Sequence, residues 1–419
     1  MSRISVFIFL FLFFTGNIFS QDIYEAVANG DLVMVKEILV ENPELLNAKN
    51  AGELTPLNLA CERGQAGIVD FLLNQGADPY LGDRENSQPI HLAAISGSIE
   101  CMDLLLGRGV DIDLQDDFGM TPLLFALSRG QRDMSAYIVE KGADIDLRSG
   151  VGWSAVHLAI VTRNNELAKE LINRGVEVNV ALETGMTPLH SAVSYGNTDL
   201  VKMLIDHGAD MEAESNHGDR ALNMALNPNT YDALRYLVKS GADVNHRNNR
   251  GAHLLHNIAG RGTAMENAGL LLDRGVDVNV RDDFGRTPLF FTTWSEDPDG
   301  MSKFLILNGA DVNPDNCKDE KTCECYPDFS TPLHGAARHG QLALTRNLVM
   351  NGARVNIYND EGQTPLHCAI QSGDLEIVQY LVDHGAFLNV PEKSQGSTEL
   401  HLSVAMGYSD ITDILLENG

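Results

Sequence analysis

Gly185-Met186-Thr187-Pro188-Leu189-His190-Ser191-Ala192, followed by Gly196, then Val201, Leu204 and Ile205, and closed by Gly208-Ala209-Asp210, is the stretch that decides the fold. Threonine before proline is a helix start. The hydroxyl accepts an amide hydrogen that lacks a partner in the first turn, while proline has no such hydrogen and its φ is already set. The same opening recurs as Thr55-Pro56-Leu57-Asn58, Gln88-Pro89-Ile90-His91, Thr121-Pro122-Leu123-Leu124, Ser154-Ala155-Val156-His157, Arg220-Ala221-Leu222-Asn223 and His253-Leu254-Leu255-His256. It continues as Thr287-Pro288-Leu289-Phe290, Thr331-Pro332-Leu333-His334, Thr364-Pro365-Leu366-His367 and Thr398-Glu399-Leu400-His401. Successive openings lie 33 or 34 residues apart, except for one interval of 44 between Thr287 and Thr331. A degenerate unit at 23–46 precedes the first opening, so about twelve units fill the chain.

Each unit reads as two short helices. Ala60, Ala93, Ala126, Ala159, Ala192 and Ala225 let neighbouring first helices approach closely. Gly64, Gly97, Gly130 and Gly196 fall where the first helix must stop and the chain reverse. Ile68, Val69, Leu72 and Leu73 show the 3.6 period of a second helix. No unit is large enough to bury its own apolar face, so stability must come from stacking on neighbours. These motifs resemble the ankyrin-repeat family, over essentially the whole chain beyond the first twenty residues. The resemblance implies an all-α repeat solenoid, a curved array of stacked repeats whose hairpin tips and first helices line a concave face. It also implies a structural role for the histidine slot, occupied by His91, His157, His190, His256, His334, His367 and His401, with bonds back to the motif threonine and the adjacent turn.

Composition narrows the function. With 30 Lys and Arg against 58 Asp and Glu, the net charge of −28 argues against nucleic acid, whose binding is largely neutralisation of phosphates by cations. The chain has no glycine-rich phosphate loop, no nucleophile elbow and no metal-binding histidine pair one helical turn apart, so neither an enzyme nor a cofactor is expected. Residues 1–20, with Arg3 before an apolar run from Val6 to Phe14 and small Ser20 before Gln21, read as a signal peptide cleaved after Ser20. A retained anchor or a mis-assigned start is the alternative, and the latter would make the protein cytoplasmic. Beyond residue 20 no stretch is apolar enough to span a membrane. Export to a periplasm or to the outside is therefore expected, and the absence of any Asn-x-Ser/Thr acceptor favours a bacterial compartment.

The departures from the pattern single out functional candidates. Arg220 and His253 replace the threonine start, which predicts weaker capping and a softer middle of the array. Ser295 to Gly300 should shorten the first helix of the unit opening at Thr287. An insertion at 312–330 carries Cys317, Cys323 and Cys325, which suit a disulfide from Cys317 to either of the others in an oxidising compartment, or a zinc clip completed by histidine. Cys61, Cys101 and Cys368 lie in helical patterns and read as core residues. The turn tips vary, although Gln115-Asp116-Asp117-Phe118-Gly119 and Arg281-Asp282-Asp283-Phe284-Gly285 nearly repeat. Asp116, Asp117, Phe118, Arg247, Asp282, Asp283, Phe284 and Tyr358 are accordingly the candidate contacts to a protein partner, one with a basic surface given the charge. A structural spacer in the cell envelope is the competing reading.

Overall fold

The structure, a computed structural model, describes residues 23–315, 330–393 and 396–419. The expected leader at 1–20 and the insertion cysteines Cys317, Cys323 and Cys325 lie outside the described residues. The described residues form two compact units, one running to Ser191 and including Met203–Ala209, the other comprising Ala192–Lys202 and Asp210–Gly419.

In the first unit, helix pairs follow the sequence register: Pro56–Glu62 with Ala66–Asn74, Pro89–Ser96 with Ile99–Leu106, Pro122–Ser128 with Arg132–Glu140, and Ala155–Val161 with Asn165–Asn173. A less regular pair, residues 23–28 and Leu32–Glu41, precedes them. The first helix of each pair is enclosed almost all round. Leu57, Ala60 and Cys61 are fully buried, whereas the second helix buries one stripe, Ile68, Val69, Leu72 and Leu73. That difference follows from position, since a first helix is packed between its own second helix and the first helices of its neighbours. Cys61, Cys101 and Cys368 are buried free thiols, in keeping with core roles.

The histidine slot performs the bonding that the family resemblance implies. His91 Nδ1 accepts the Gln88 amide hydrogen at 3.0 Å, which leaves Nε2 as the protonated nitrogen to donate to the Leu114 carbonyl at 2.8 Å. His334 does the same between the Thr331 amide, at 3.3 Å, and the Gln363 carbonyl, at 3.0 Å. Each imidazole thereby caps its own helix and ties it to the turn of the next repeat. Asn58 replaces the ring with an amide, its Oδ1 accepting the Thr55 amide hydrogen at 3.1 Å and its Nδ2 reaching the Ser87 carbonyl at 3.5 Å.

The second unit contains the irregular repeats. At Arg220 the first helix shrinks to a 3₁₀ turn, Ala221–Met224, followed by a second short turn, Pro228–Thr230. Neither a capping hydroxyl nor a proline at the first position is present there, and the helix that a Thr-Pro start opens elsewhere is reduced to a single turn. At His253 the cap is not lost. The imidazole Nδ1 accepts the Leu255 amide hydrogen at 3.0 Å, standing in for the missing hydroxyl, and a full helix, Leu254–Arg261, follows. The repeat at Thr287 is shortened as expected, to Pro288–Phe291 and a 3₁₀ turn, Thr292–Trp294. The Phe290 side chain cannot bond back to the Thr287 hydroxyl, which is left buried without a partner.

A second ladder went unread in the sequence. Asn279, Asn313 and Asn356 each stand two residues after the aspartate position of a Gly-x-Asp or equivalent turn. Asn313 Oδ1 accepts the Arg354 amide hydrogen at 2.7 Å while its Nδ2 donates to the Gly352 carbonyl at 2.9 Å. Asn356 repeats this with Phe387 and Gly385, at 2.7 and 2.9 Å. Asp113 and Asp146 occupy the slot in the first unit and keep only the accepting half, from the amides of Asp144 and Glu177 at 2.9 and 2.8 Å.

Candidate partner-binding surface

The turn tips are built around a buried anchor. Asp116 Oδ1 accepts the amide hydrogens of Phe118 and Met120 at 2.9 and 2.8 Å, closing the turn from inside. Asp282 does the same for Phe284 and Arg286 at 3.0 and 2.9 Å. Asp83 bonds Glu85 and Ser87, and Asn248 bonds Arg250 and Ala252, in the same way. Main-chain bonds then join successive tips within each unit: Asp117 N–H to Glu85 O at 3.1 Å, Gly150 to Phe118 at 2.6 Å, Asn249 to His217 at 3.1 Å and Asp283 to Arg250 at 3.3 Å. The tips are therefore preorganised rather than loose, which lowers the ordering cost of any contact made through them.

This geometry sorts the candidate residues. Asp116 and Asp282 are 6% and 1% exposed, with their carboxylates committed to loop amides, so they are turn-formers and the reading of them as contact residues is corrected. Asp117 and Asp283 remain exposed, and Phe118, Phe284 and Tyr358 expose 58%, 37% and 50% of their surface. Arg247 is exposed but engaged: its Nε donates to the Gly251 carbonyl at 2.8 Å and its guanidinium lies 3.3 Å from Asp283. The two Asp-Asp-Phe-Gly tips differ in what surrounds the phenylalanine. Phe118 has no ring or cation partner among the described residues, whereas the Arg286 guanidinium lies 4.7 Å from the centre of the Phe284 ring.

One feature of this surface was missed in the sequence. Trp294, at the end of the shortened first helix, is 46% exposed and packs edge-to-face on Phe290 and Phe291 at 5.3 and 5.2 Å between ring centres. Arg286 also lies over Phe291 and Trp294, at 5.0 and 5.8 Å. The turn-forming run after Trp294 was the available signal: the first helix ends at that residue, with Ser295 as its cap, and the second helix already starts at Pro298.

Among the described residues, no group of three or more His, Cys, Asp or Glu side chains is placed to hold a metal ion. Among the same residues no helix is long and apolar enough to cross a membrane.

Five overlapping segments, 23–116, 90–181, 162–248, 225–316 and 333–419, match a family model described as ankyrin repeats in three copies. Among solved structures, the chain is similar to the ankyrin repeat domain of Bcl-3, described as a unique member of the IkappaB protein family. That likeness is 28% identity with a TM-score of 0.45, over 51% of this chain and 97% of that one. It is also similar to the human ASB11 ankyrin repeat domain, at 24% identity with a TM-score of 0.45, over 51% of this chain and 96% of that one. No curated protein matches the sequence.

Proposed function

Because the chain belongs to the ankyrin-repeat family, we propose that it is a non-catalytic recognition module that binds a protein partner through its hairpin tips and the concave face they border. The observation that carries this reading is the construction of the tips. Their buried anchors and tip-to-tip bonds recur, while the side chains they present differ from repeat to repeat and include exposed Phe118, Phe284 and Tyr358. A scaffold selected for spacing alone has no need of exposed aromatic residues on rigid turns. The net charge of −28 favours a partner with a basic surface, because complementary fields speed encounter and align the two surfaces.

The test is a crosslinked capture using residues 21–419 as bait, paired with a variant in which Asp117, Phe118, Asp283 and Phe284 become serine. Asp116 and Asp282 are left in place, because replacing them would open the turns and confuse lost contacts with lost folding. A protein held by the native bait and released by the variant is the expected result. Equal capture by both baits would move the interface elsewhere or favour the spacer. The reading extends to location. The apolar segment from Val6 to Phe14 is proposed to direct export, with cleavage after Ser20. N-terminal sequencing of the mature protein should begin at Gln21, and an intact Met1 on a cytoplasmic chain would refute export.

A further inference from the structure

The near-repeated tips supply an internal comparison. Asp116-Asp117-Phe118-Gly119 is flanked by Gln115 and Met120, while Asp282-Asp283-Phe284-Gly285 is flanked by Arg281 and Arg286. The turn geometry is the same, so what changes is the surface built on it. Arg286 is fixed from below by the 1% exposed side chain of Asp282, which accepts from Nε at 2.8 Å and lies 2.6 Å from Nη2. Three rings then surround the guanidinium: Phe284, Phe291 and Trp294. Its Nη1 makes no hydrogen bond among the described residues.

The neighbouring repeats extend this platform. Arg261 ends the preceding first helix, exposed and without a side-chain partner among the described residues, and its carbonyl accepts the Glu296 amide hydrogen at 3.3 Å. On the other side, the His339 ring packs edge-on to Trp294 at 6.2 Å, and Arg338 beside it bonds Gln363 at 2.9 Å. Glu296 is the acid closest in sequence to Trp294 and carries no salt bridge among the described residues. Tryptophan and arginine on a rigid, partly desolvated support are the residue types that dominate binding energy at protein interfaces. A fixed guanidinium with a free edge also recognises a carboxylate better than a mobile one does.

We propose that the surface formed by Phe284, Arg286, Trp294, Arg261 and His339 is a docking platform for a partner segment in which an apolar or aromatic side chain stands next to an aspartate or glutamate. The apolar group covers the open face of Trp294, and the carboxylate accepts from Arg286 Nη1, with Arg261 at the rim. This rests on the recognition function proposed above, and it assigns to these repeats a contact of opposite sign to the field of the whole chain. The partner is therefore charge-patterned: basic where it meets the acidic surface, acidic beside an apolar residue where it meets this platform.

The experiment uses residues 21–419 against an array of short immobilised peptides of randomised composition, with Trp294→Ala, Arg286→Met, Phe118→Ala and the control Val40→Ala measured beside the native chain. Arg286→Met places a methionine where Met120 follows the other tip, a setting in which the buried aspartate anchor is tolerated. Thermal unfolding of each variant checks that the fold is retained. The native chain should select peptides pairing an apolar residue with Asp or Glu. Trp294→Ala and Arg286→Met should each weaken the selected peptide by about thirtyfold or more, while Val40→Ala, at an exposed apolar position on the helix Leu32–Glu41 and outside the proposed surface, leaves it unchanged. Selection of basic peptides, no selection at all, or binding indifferent to Trp294 or to Arg286 would overturn the proposal. Loss with Phe118→Ala but not with Trp294→Ala would remove this platform and leave tip-mediated recognition standing. Failure of the bait comparison, by contrast, would bear on recognition as a whole.

Discussion

Lowering the pH from 7 to 4.5 is expected to destabilise the fold by about 2 to 3 kcal/mol for each of His157, His256 and His334. Burial is the main cause of the depressed pKa of all three, which lie at about 4. Bonds donated to the carbonyls of Met186, Arg286 and Gln363 oppose that shift, as does Asp282 beside His256, while Arg148 near His157 and Arg338 near His334 reinforce it. The unfolded chain takes up protons on these rings from about pH 6.5 downward, whereas the folded chain resists until about pH 4. The stabilisation is thus complete above pH 6.5 and is lost across the window between those values. Protonation also conflicts with the geometry, because Nδ1 of each ring faces a hydroxyl or amide hydrogen that it accepts; for His256 this is the His253 amide at 3.0 Å.

The many carboxylates act in the other direction, since neutralising them relieves self-repulsion in a chain of charge −28. The comparison is therefore between the native chain and a variant carrying His157→Asn, His256→Asn and His334→Asn, in urea unfolding at both pH values. Asparagine already serves this slot at Asn58 and Asn223, so the variant keeps the cap and loses the titration. A smaller loss of stability on acidification in the variant is expected. Equal losses would show that these rings do not set the acid response.

The second large effect is steric. Gly152 has φ +87°, and a Cβ there would lie 2.8 Å from the Ala181 carbonyl oxygen and 3.0 Å from Leu182 Cα, both backbone atoms of the next tip. Gly76 has a similar φ of +91° with nothing within 4 Å of the same position. Gly76→Ala should cost about 1 to 2 kcal/mol, the strain of a left-handed backbone alone. Gly152→Ala adds about 1 to 3 kcal/mol because the tips must separate. The bond from Glu183 N–H to the Val151 carbonyl, 3.2 Å long, spans that contact and should weaken with it. Unfolding midpoints of the two variants test this, and equal losses would mean that the close approach of tips contributes nothing.

The repeat architecture was legible because its determinants are local and periodic. Thr-Pro openings, alanine slots and the histidine position recur together in one register of 33 or 34 residues. The tips were less legible, because an aspartate that turns its carboxylate inward to backbone amides cannot be told by composition from one that faces solvent. The distinguishing signal was position. Asn50, Asp83, Asp116, Ser149, Ser215, Asn248, Asp282 and Asn359 each stand five residues before a repeat opening, as turn anchors and not as independent surface acids. The full helix after His253 escaped for a different reason, since an imidazole can replace a capping hydroxyl only when its rotamer lets Nδ1 reach the amide. The irregularity of the repeat opening at Thr287 was visible, but the stacking of Trp294 with Arg286 joins a tip to the end of a helix, a contact that helix periodicity does not encode.

The most direct measurement is the affinity of the captured partner, by titration calorimetry, for residues 21–419 and for the variant with serine at 117, 118, 283 and 284. The predicted result is a loss of about a hundredfold or more with an unchanged unfolding temperature, since these side chains contribute contacts and not the turn anchors. Equal affinity for the two chains would contradict recognition through the tips.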